Sequence, residues 1–530
     1  MRRTILLCII LLISNVYSGG WGNAGKYGRN TRVRRIVDWQ QNMLDSYEAL
    51  RGELSSTAEL ELTERLARGT YLDSTFGLNG QHRRSADFIL LFEIDDDLVD
   101  RDIIKSGATM RWDCEGTVYV QNNMPDHTYA GNGIVTISST DGFAGITHLD
   151  LSGEVGRYPF NKTTTFRMPK WSSICPNLIY INISNSDFRA AVDSLLGLHS
   201  VDTLYTYGNG NRELPISGDA GKLNDLNPSR VIAYFSSMYL CIDSLYTWTN
   251  LKYLYWFRRA GKVWGDLAAT QYWSDDMTYL QISADSIYGS GTALQSKTNL
   301  REIGLSNVYG GRTITINNDD IAAMTGLTII HIVSDSADID IEEALAPLNP
   351  ININFGGTST NDETIYGNIS VLSDMTRIQV VEMEGHSNVV GSIGSVAGTG
   401  ETLVVCRFSN TGVDDILSPL KANTGISEYQ LGGTEVTCDS SCWVNDVFYW
   451  AYFDSCGWTQ AEVDTFIFGF RASCMEETRD YTKTVSGKVW VRLYENAAPS
   501  ATGLGWIDQI DSCFAANGKA VDWQLIAPEE

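Results

Sequence analysis

The sequence predicts an α/β solenoid, a stack of coils with short parallel strands on one face and helices or turns on the other, closed by caps at both ends. Two observations carry this expectation. The pattern apolar-x-x-apolar-x-apolar of Leu178-Ile-Tyr-Ile181-Asn-Ile183 returns at Val201, Val231, Leu251, Met277, Leu300, Leu327, Pro350, Ile378, Leu403 and Ile426, in steps of 20 to 30 residues. Alternation within a copy marks a half-buried strand, and its regular return marks one coil that needs neighbours to bury its apolar face. Glycine-led segments recur between the strands: Gly218-Asp-Ala-Gly-Lys-Leu223, Gly367-Asn-Ile-Ser-Val-Leu372 and Gly391-Ser-Ile-Gly-Ser-Val396, with Gly265-Asp-Leu267 a partial fourth. Glycine supplies the turn there, and the apolar pair faces the core.

At the N-terminus, Met1-Arg-Arg and the apolar run Ile5 to Ile13 have the charged start and short core of a secretory signal, residues 1–18, with cleavage expected after Ser18. The run is too short to span a bilayer, so no stable membrane span is expected once it is removed. Residues 19–35 form a glycine-rich basic arm. Residues 1 to 37 hold seven basic side chains (Arg2, Arg3, Lys26, Arg29, Arg32, Arg34, Arg35) and no acid, which leaves 32 basic against 64 acidic residues in the remainder of a chain of net charge −25. A body that acidic repels nucleic acid and anionic membrane. Its hydrophobic content of 43% argues against global disorder.

Residues 36–143 are expected to make a small α+β cap. Ile36, Trp39, Met43, Tyr47 and Leu50 share one helical face, and Ser56-Thr-Ala-Glu59 has the spacing of a capping box that opens a second helix to about Gly69. These helices form either a hairpin on the body or, with the arm, a segment (residues 19–70) through which copies or a particle assemble. Strand texture follows at Phe88–Ile94, Ala108–Trp112 and Thr117–Gln121, and a cap built from it would shield the first coil. The acid run Glu93 to Asp97 lacks the alternating ligands and glycine of a calcium loop and reads as a solvated turn.

Residues 144–437 are the expected solenoid, with a helical return at Phe188–Leu196 and Ile341–Leu345. Residues 438–530 are the expected C-terminal cap. Five of the ten cysteines crowd there (Cys438, Cys442, Cys456, Cys474, Cys513), which in an exported chain points to one or two disulfides of open pairing. No pair has zinc-knuckle spacing, so neither metal nor cofactor is expected. Within the cap, Trp458–Ile467 reads as a helix opened by Thr459 and Glu462 at capping-box spacing. Val489–Leu493 reads as a strand, Asn496–Ala501 as a turn and Ile507–Phe514 as an amphipathic helix.

From Ile146 to Leu525 the chain resembles irregular leucine-rich repeat proteins of the kind found at bacterial surfaces and in bacteriophage structural proteins. The terminal order of helix, strand, turn and helix is the most specific part of the likeness. It implies a leucine-rich-repeat-like array that recognises partners on its concave sheet. It also implies an asparagine three residues after the last apolar strand position, bonding the next coil. Asn209 and Asn496 keep that residue, whereas Ser186, Asp285, Asp335, Thr358, Thr411 and Thr434 replace it, so a continuous asparagine ladder is not expected.

Catalytic motifs are missing. There is no His-Glu-x-x-His and no Gly-x-Ser-x-Gly, and Gly218–Lys222 has neither the spacing nor the following Ser or Thr of a phosphate loop, with Leu223 in its place. The histidines (His82, His127, His148, His199, His331, His386) stand isolated. Asn161, Asn182 and Asn368 head formal glycosylation sequons. With the apolar strand residues turned inward, the alternate ones line the sheet. These begin with an aromatic belt of Tyr205, Tyr207, Phe235, Tyr253, Tyr255, Phe257 and Tyr279. A polar and acidic belt continues it: Glu302, Ser306, His331, Asn352, Asn354, Glu382, Glu384, Arg407, Glu428 and Gln430.

Aromatic side chains stack on sugars or anchor protein interfaces at low entropic cost. The expected function is therefore non-enzymatic recognition or adhesion, binding a protein or glycan surface, by a chain that is secreted or displayed at the cell surface. The rival for the belt is packing against the N-terminal region or another subunit. Two alternatives for the whole chain are a virion component such as a head or tail fibre protein, and a β-helical polysaccharide depolymerase in which Glu382 and Glu384 are the first acids to test.

Overall fold

The computed structural model describes residues 88–94, 104–114, 117–123, 125–127, 133–139, 143–150, 171–173, 175–184, 190–206, 216–234, 237–257, 263–284, 286–307, 314–333, 337–356, 364–423, 425–439, 450–475 and 488–525. The signal-like segment, the basic arm, the two expected helices, Tyr207 and Phe235 lie outside the described residues. Everything described belongs to one compact unit, Gly80–Glu530.

A 16-stranded sheet runs through that unit. Its strands follow in chain order: Ile104–Ser106, Ile146–Asp150, Tyr180–Asn182, Thr203–Tyr205, Arg230–Tyr234, Tyr253–Phe257, Tyr279–Ala284, Glu302–Asn307, Ile329–Val333, Asn352–Asn354, Val380–Glu382, Val405–Arg407, Glu428–Gln430, Trp450–Tyr452, Lys488–Arg492 and Ala520–Gln524. The first strand runs antiparallel to the second and covers that edge. Every later neighbour is parallel, one strand per coil, as in Arg230–Tyr234 beside Tyr253–Phe257. From Tyr180 to Glu428 each strand begins within two residues of the start the repeat pattern predicts. Leu204, Leu254, Leu280, Ile303, Ile330 and Ile353 point inward and are buried, so the coil-to-coil ladder doubles as the spine of the core.

The return face differs from the expected helices or turns in carrying parallel sheets of its own. One is built from Ala190–Ala191, Ile216–Asp219, Ser237–Cys241, Val263–Asp266, Ser286–Ser290 and Ile314–Thr315. Another is built from Ile339–Asp340, Ile365–Asn368, Val389–Ser392 and Gly412–Asp414. The glycine-led segments explain the addition. Gly218, Gly265, Gly289, Gly367 and Gly391 all have φ between +101° and +129° and end a short strand. The next residue (Asp219, Asp266, Ser290, Asn368 or Ser392) accepts the N–H two positions on and opens a 3-10 helix. α-Helix on the return appears at Asn318–Ala323 and Ile341–Leu345, whereas the helix expected over Phe188–Leu196 is a 3-10 turn at Val192–Leu195.

Gly289, Gly367 and Gly391 also lie over the cap of the coil before. A Cβ on Gly391 would stand 2.4 Å from Asn368 Oδ1, and one on Gly289 would stand 2.0 Å from Asp266 Oδ1. Gly391→Ala therefore combines a disallowed φ with a clash, and should cost about 1–3 kcal/mol. Urea unfolding would show this as an earlier midpoint, and a midpoint equal to the parent's would remove the stacking argument.

Hydrogen bonds between coils also arise where the repeat pattern shows only apolar or unremarkable residues. Just after the return helix, Trp248 Nε1 donates to Leu223 O at 3.2 Å, Trp273 Nε1 to Leu245 O at 3.1 Å, and Asn423 Nδ2 to Val396 O at 2.9 Å. Lys297, wholly buried at the same position, donates to Trp273 O at 2.7 Å and to Asp275 Oδ1 at 2.8 Å. The ladder after the strands is broken by residue size. Thr411 and Thr434 donate within their own coil, to Phe408 O and Leu431 O, both at 2.6 Å. Asn496, one bond longer, crosses to Phe453 O at 2.6 Å and accepts from Trp458 N at 3.0 Å.

Before the solenoid, Phe88–Ile94 pairs antiparallel with Gly133–Ser139, which pairs with Met110–Cys114, which pairs with Thr117–Gln121. Beyond residue 437 the long sheet continues through three more strands. Helices Gln460–Met475 and Ala501–Ala516 take over the return there. Thr459 N donates to Glu462 Oε2 at 2.8 Å, so the capping box forms. Cys438 is disulfide-bonded.

Candidate binding surface

In-register parallel strands stack every second side chain into columns that run across the sheet. One column is Arg230, Tyr253, Tyr279 and Glu302, each directly opposite the next. Its neighbour holds Tyr205, Ile232, Tyr255 and Gln281. Tyr205, Tyr253, Tyr255, Phe257 and Tyr279 are half-buried while Leu204, Leu254 and Leu280 between them are buried, so the expected register is the one observed.

Five belt residues are thus brought together. Strand spacing of roughly 4.8 Å suits ring stacking, and the rings of Tyr253 and Tyr279 lie 4.1 Å apart at 16°. Arg230 Cζ sits 4.1 Å from the centre of Tyr253 and 5.7 Å from that of Tyr205. Tyr255 packs against Phe257 at 6.4 Å and against Tyr279 at 6.1 Å. Tyr180 extends the row, edge-on to Tyr205 at 5.6 Å and stacked on His148 at 5.8 Å. The consequence is chemical: one face of Tyr253 is taken by Tyr279 and the guanidinium of Arg230 lies over its ring too, which leaves edges and hydroxyls to meet a partner.

Burial pushes the hydroxyls of Tyr253 and Tyr279 upward, so both stay protonated as donors. Tyr279 bonds Gln281 Oε1 at 2.8 Å. Glu302 is also pushed up by burial, with the Tyr279 hydroxyl opposing the shift.

Further along, Arg407 ties two carboxylates together, at 2.6 Å from both Glu382 Oε1 and Glu428 Oε1. Asn354 bonds Glu382, and Gln430 bonds Glu428. Glu384 lies in the turn after the strand, where burial raises it and Arg407 lowers it. His331, in the same column two strands before Glu382, is lowered by burial alone. Spacing along the chain brings none of these acids together; the parallel stagger does. A third group, at the C-terminal end, stacks Trp450 on Tyr452 at 5.8 Å and places Trp490 edge-on to Trp450 at 5.9 Å. Arg492 lies over Tyr452 and pairs with Asp454 at 2.6 Å.

Sequence reasoning overlooked Arg230 and this third group. Arg230 precedes the inward Val231 by one and shares outward parity with the tyrosines, so alternation alone would have found it. Among the described residues no group of three or more His, Cys, Asp or Glu could hold a metal ion, and no helix is long and apolar enough to cross a membrane. The Asn182 sequon is closed off: Asn182 donates to Asp150 at 3.1 Å, and Ser184 is wholly buried. Asn368 is a helix cap, and Asn161 lies outside the described residues.

No protein family matches this chain, and no curated protein matches it. Solved structures do. An internalin (inlF) from Listeria monocytogenes matches at 15% identity over 72% of this chain and 87% of its own, with a TM-score of 0.41. The leucine-rich repeat ectodomain of the receptor kinase GASSHO1/SCHENGEN3 from Arabidopsis thaliana, in complex with CASPARIAN STRIP INTEGRITY FACTOR 2, matches at 13% identity over 69% of this chain and 46% of its own, with a TM-score of 0.44. PEPR1 with AtPEP1 matches at 11% identity over 71% and 51%, with a TM-score of 0.42. This chain spans about half the length of those two receptors. The fold is a leucine-rich-repeat-like solenoid, and no residue role is carried over from the matched structures.

Proposed function

We propose that the chain is a non-enzymatic recognition protein that binds another protein through the aromatic belt of its long sheet. One observation carries the choice: the column Arg230, Tyr253, Tyr279 is stacked on itself. Sugar rings need open aromatic faces. A protein surface needs edges, hydroxyls and rigid apolar bulk, which a pre-stacked column offers with little entropy left to lose. The depolymerase reading weakens for a matching reason, since Arg407 already engages Glu382 and Glu428 as an ion-paired unit.

Replacing both Tyr253 and Tyr279 by Ala should weaken partner binding at least 100-fold, as expected for truncating central hot-spot tyrosines. The same change should cost only about 1–2 kcal/mol of stability, because the rings are half-buried and their stacking is worth about 0.5–1.5 kcal/mol. Binding isotherms beside urea unfolding separate the two. A large stability loss without a binding defect would make the belt a packing feature.

A further inference from the structure

We propose that Arg230 is the position at which the long sheet reads a carboxylate on its protein partner, an inference that rests on the reading of the belt as a protein-binding face. The other arginines described on this face are neutralised at home: Arg407 by Glu382 and Glu428, Arg492 by Asp454. Arg230 is different. Its guanidinium lies over two tyrosine rings, at 4.1 and 5.7 Å. No carboxylate among the described residues pairs with it, and its Nε is buried with no hydrogen-bond acceptor.

A half-buried guanidinium has lost part of its water, and its buried Nε–H has received no acceptor in exchange, which is costly to leave so; its Nη groups are not among the buried unpartnered atoms and remain the reachable side of the fork. The flanking rings are held in turn by Tyr279 and Tyr180, so the cation is fixed in place before any partner arrives. A planar fork with open donors matches a carboxylate, which accepts two parallel hydrogen bonds from it.

The charge around Arg230 selects the source of that carboxylate. Glu302 lies three strands along the same column, roughly 14 Å away at ordinary strand spacing. Glu382 and Glu428 lie further along the same sheet, with Glu384 in the turn after one of its strands, on a chain of net charge −25. An acidic polysaccharide would set repeated charges against these carboxylates. A protein segment can set one Asp or Glu on Arg230 and none beyond it.

Dodecapeptides selected from a displayed random library on the full chain, counter-selected on the Tyr253→Ala, Tyr279→Ala double variant, supply the probe. The expected peptides share an Asp or Glu, and Arg230→Gln lowers their affinity at least tenfold, with Arg230→Lys in between. Changing the peptide acid to its amide should give the same loss, and both changes together should lose no more than either alone. Should Arg230→Gln unfold, the Arg230→Lys comparison decides by the same criteria. Peptides that lack an acid, or that bind the Arg230 variants as tightly as the parent, overturn the assignment of Arg230 and leave the belt reading standing. A library yielding nothing that the tyrosine variant fails to bind overturns the belt reading and the Arg230 assignment with it. Polygalacturonate binding that Arg230→Gln abolishes overturns the choice of a protein partner.

Discussion

Replacing Trp458 by alanine should destabilise the C-terminal end of the solenoid by about 3–5 kcal/mol, the range for emptying a buried tryptophan site. Trp458 is 2% exposed and joins the last repeats to the first long return helix. Its ring packs on Phe453 at 4.9 Å and Phe466 at 5.6 Å, and those two meet at 5.3 Å. Its indole N–H donates to Val436 O at 2.7 Å, across to the coil before. Alanine would leave a cavity among three strand-and-helix elements and an orphaned buried carbonyl. Trp458→Phe should cost less, about 1–2 kcal/mol, since most volume remains and mainly the hydrogen bond is lost. Hydrogen exchange over Gln460–Met475 should report the alanine variant as faster opening of that helix. Unchanged exchange there, with an unchanged urea midpoint, would show that the junction does not depend on this side chain.

Arg407→Met should cost about 3–5 kcal/mol at neutral pH, because it strands two acids on a half-buried face. Glu428 is 2% exposed and Glu382 16%, so water can replace little of what the guanidinium supplies. The deficit should depend on pH in one direction. Burial raises the carboxyl of Glu382 from its ordinary 4.5 while Arg407 lowers it, and Glu384 responds to the same two influences. A carboxyl held above its unfolded value binds its proton more tightly when folded, so it contributes less to stability as pH rises through that window. Without Arg407 the folded values climb further. The variant's deficit should then be greatest at pH 7 and shrink as pH falls toward 4.5, where protonated acids need no counter-charge. Urea midpoints for parent and variant at the two pH values test this, and a deficit of equal size at both would sink it.

Much of the fold was legible because a solenoid repeats one local rule. Each copy needs an apolar residue at fixed parity, and parity alone placed Leu254 inside and Tyr253 and Tyr255 outside. The return face was less legible. Gly218, Gly265, Gly367 and Gly391 were visible as turns, but a turn residue does not say that it will end a strand paired to the next coil. The difference lies in the φ of these glycines and in the backbone or side chain of the coil beneath, a helix-cap oxygen at Gly367 and Gly391, a relation that exists only once coils are stacked. Ala520–Gln524 went unrecognised as a sheet strand because the helix Ala501–Ala516 separates it from Lys488–Arg492 and stretches the step beyond the 20-to-30-residue period, whereas Trp450–Tyr452 keeps that period after Glu428 and was legible but overlooked.

The sequence by itself determined that this chain stacks coils, which residues face inward, and which tyrosines share the exposed side of the sheet. Alternation and period are local properties, so a single chain read in order contains them. Only the tertiary structure decided what those exposed residues do to one another. It stacked Tyr253 on Tyr279, laid Arg230, with no carboxylate partner among the described residues, over the column and tied Glu382 to Glu428 through Arg407. Those relations depend on register between coils more than twenty residues apart, a quantity that no stretch of sequence carries alone.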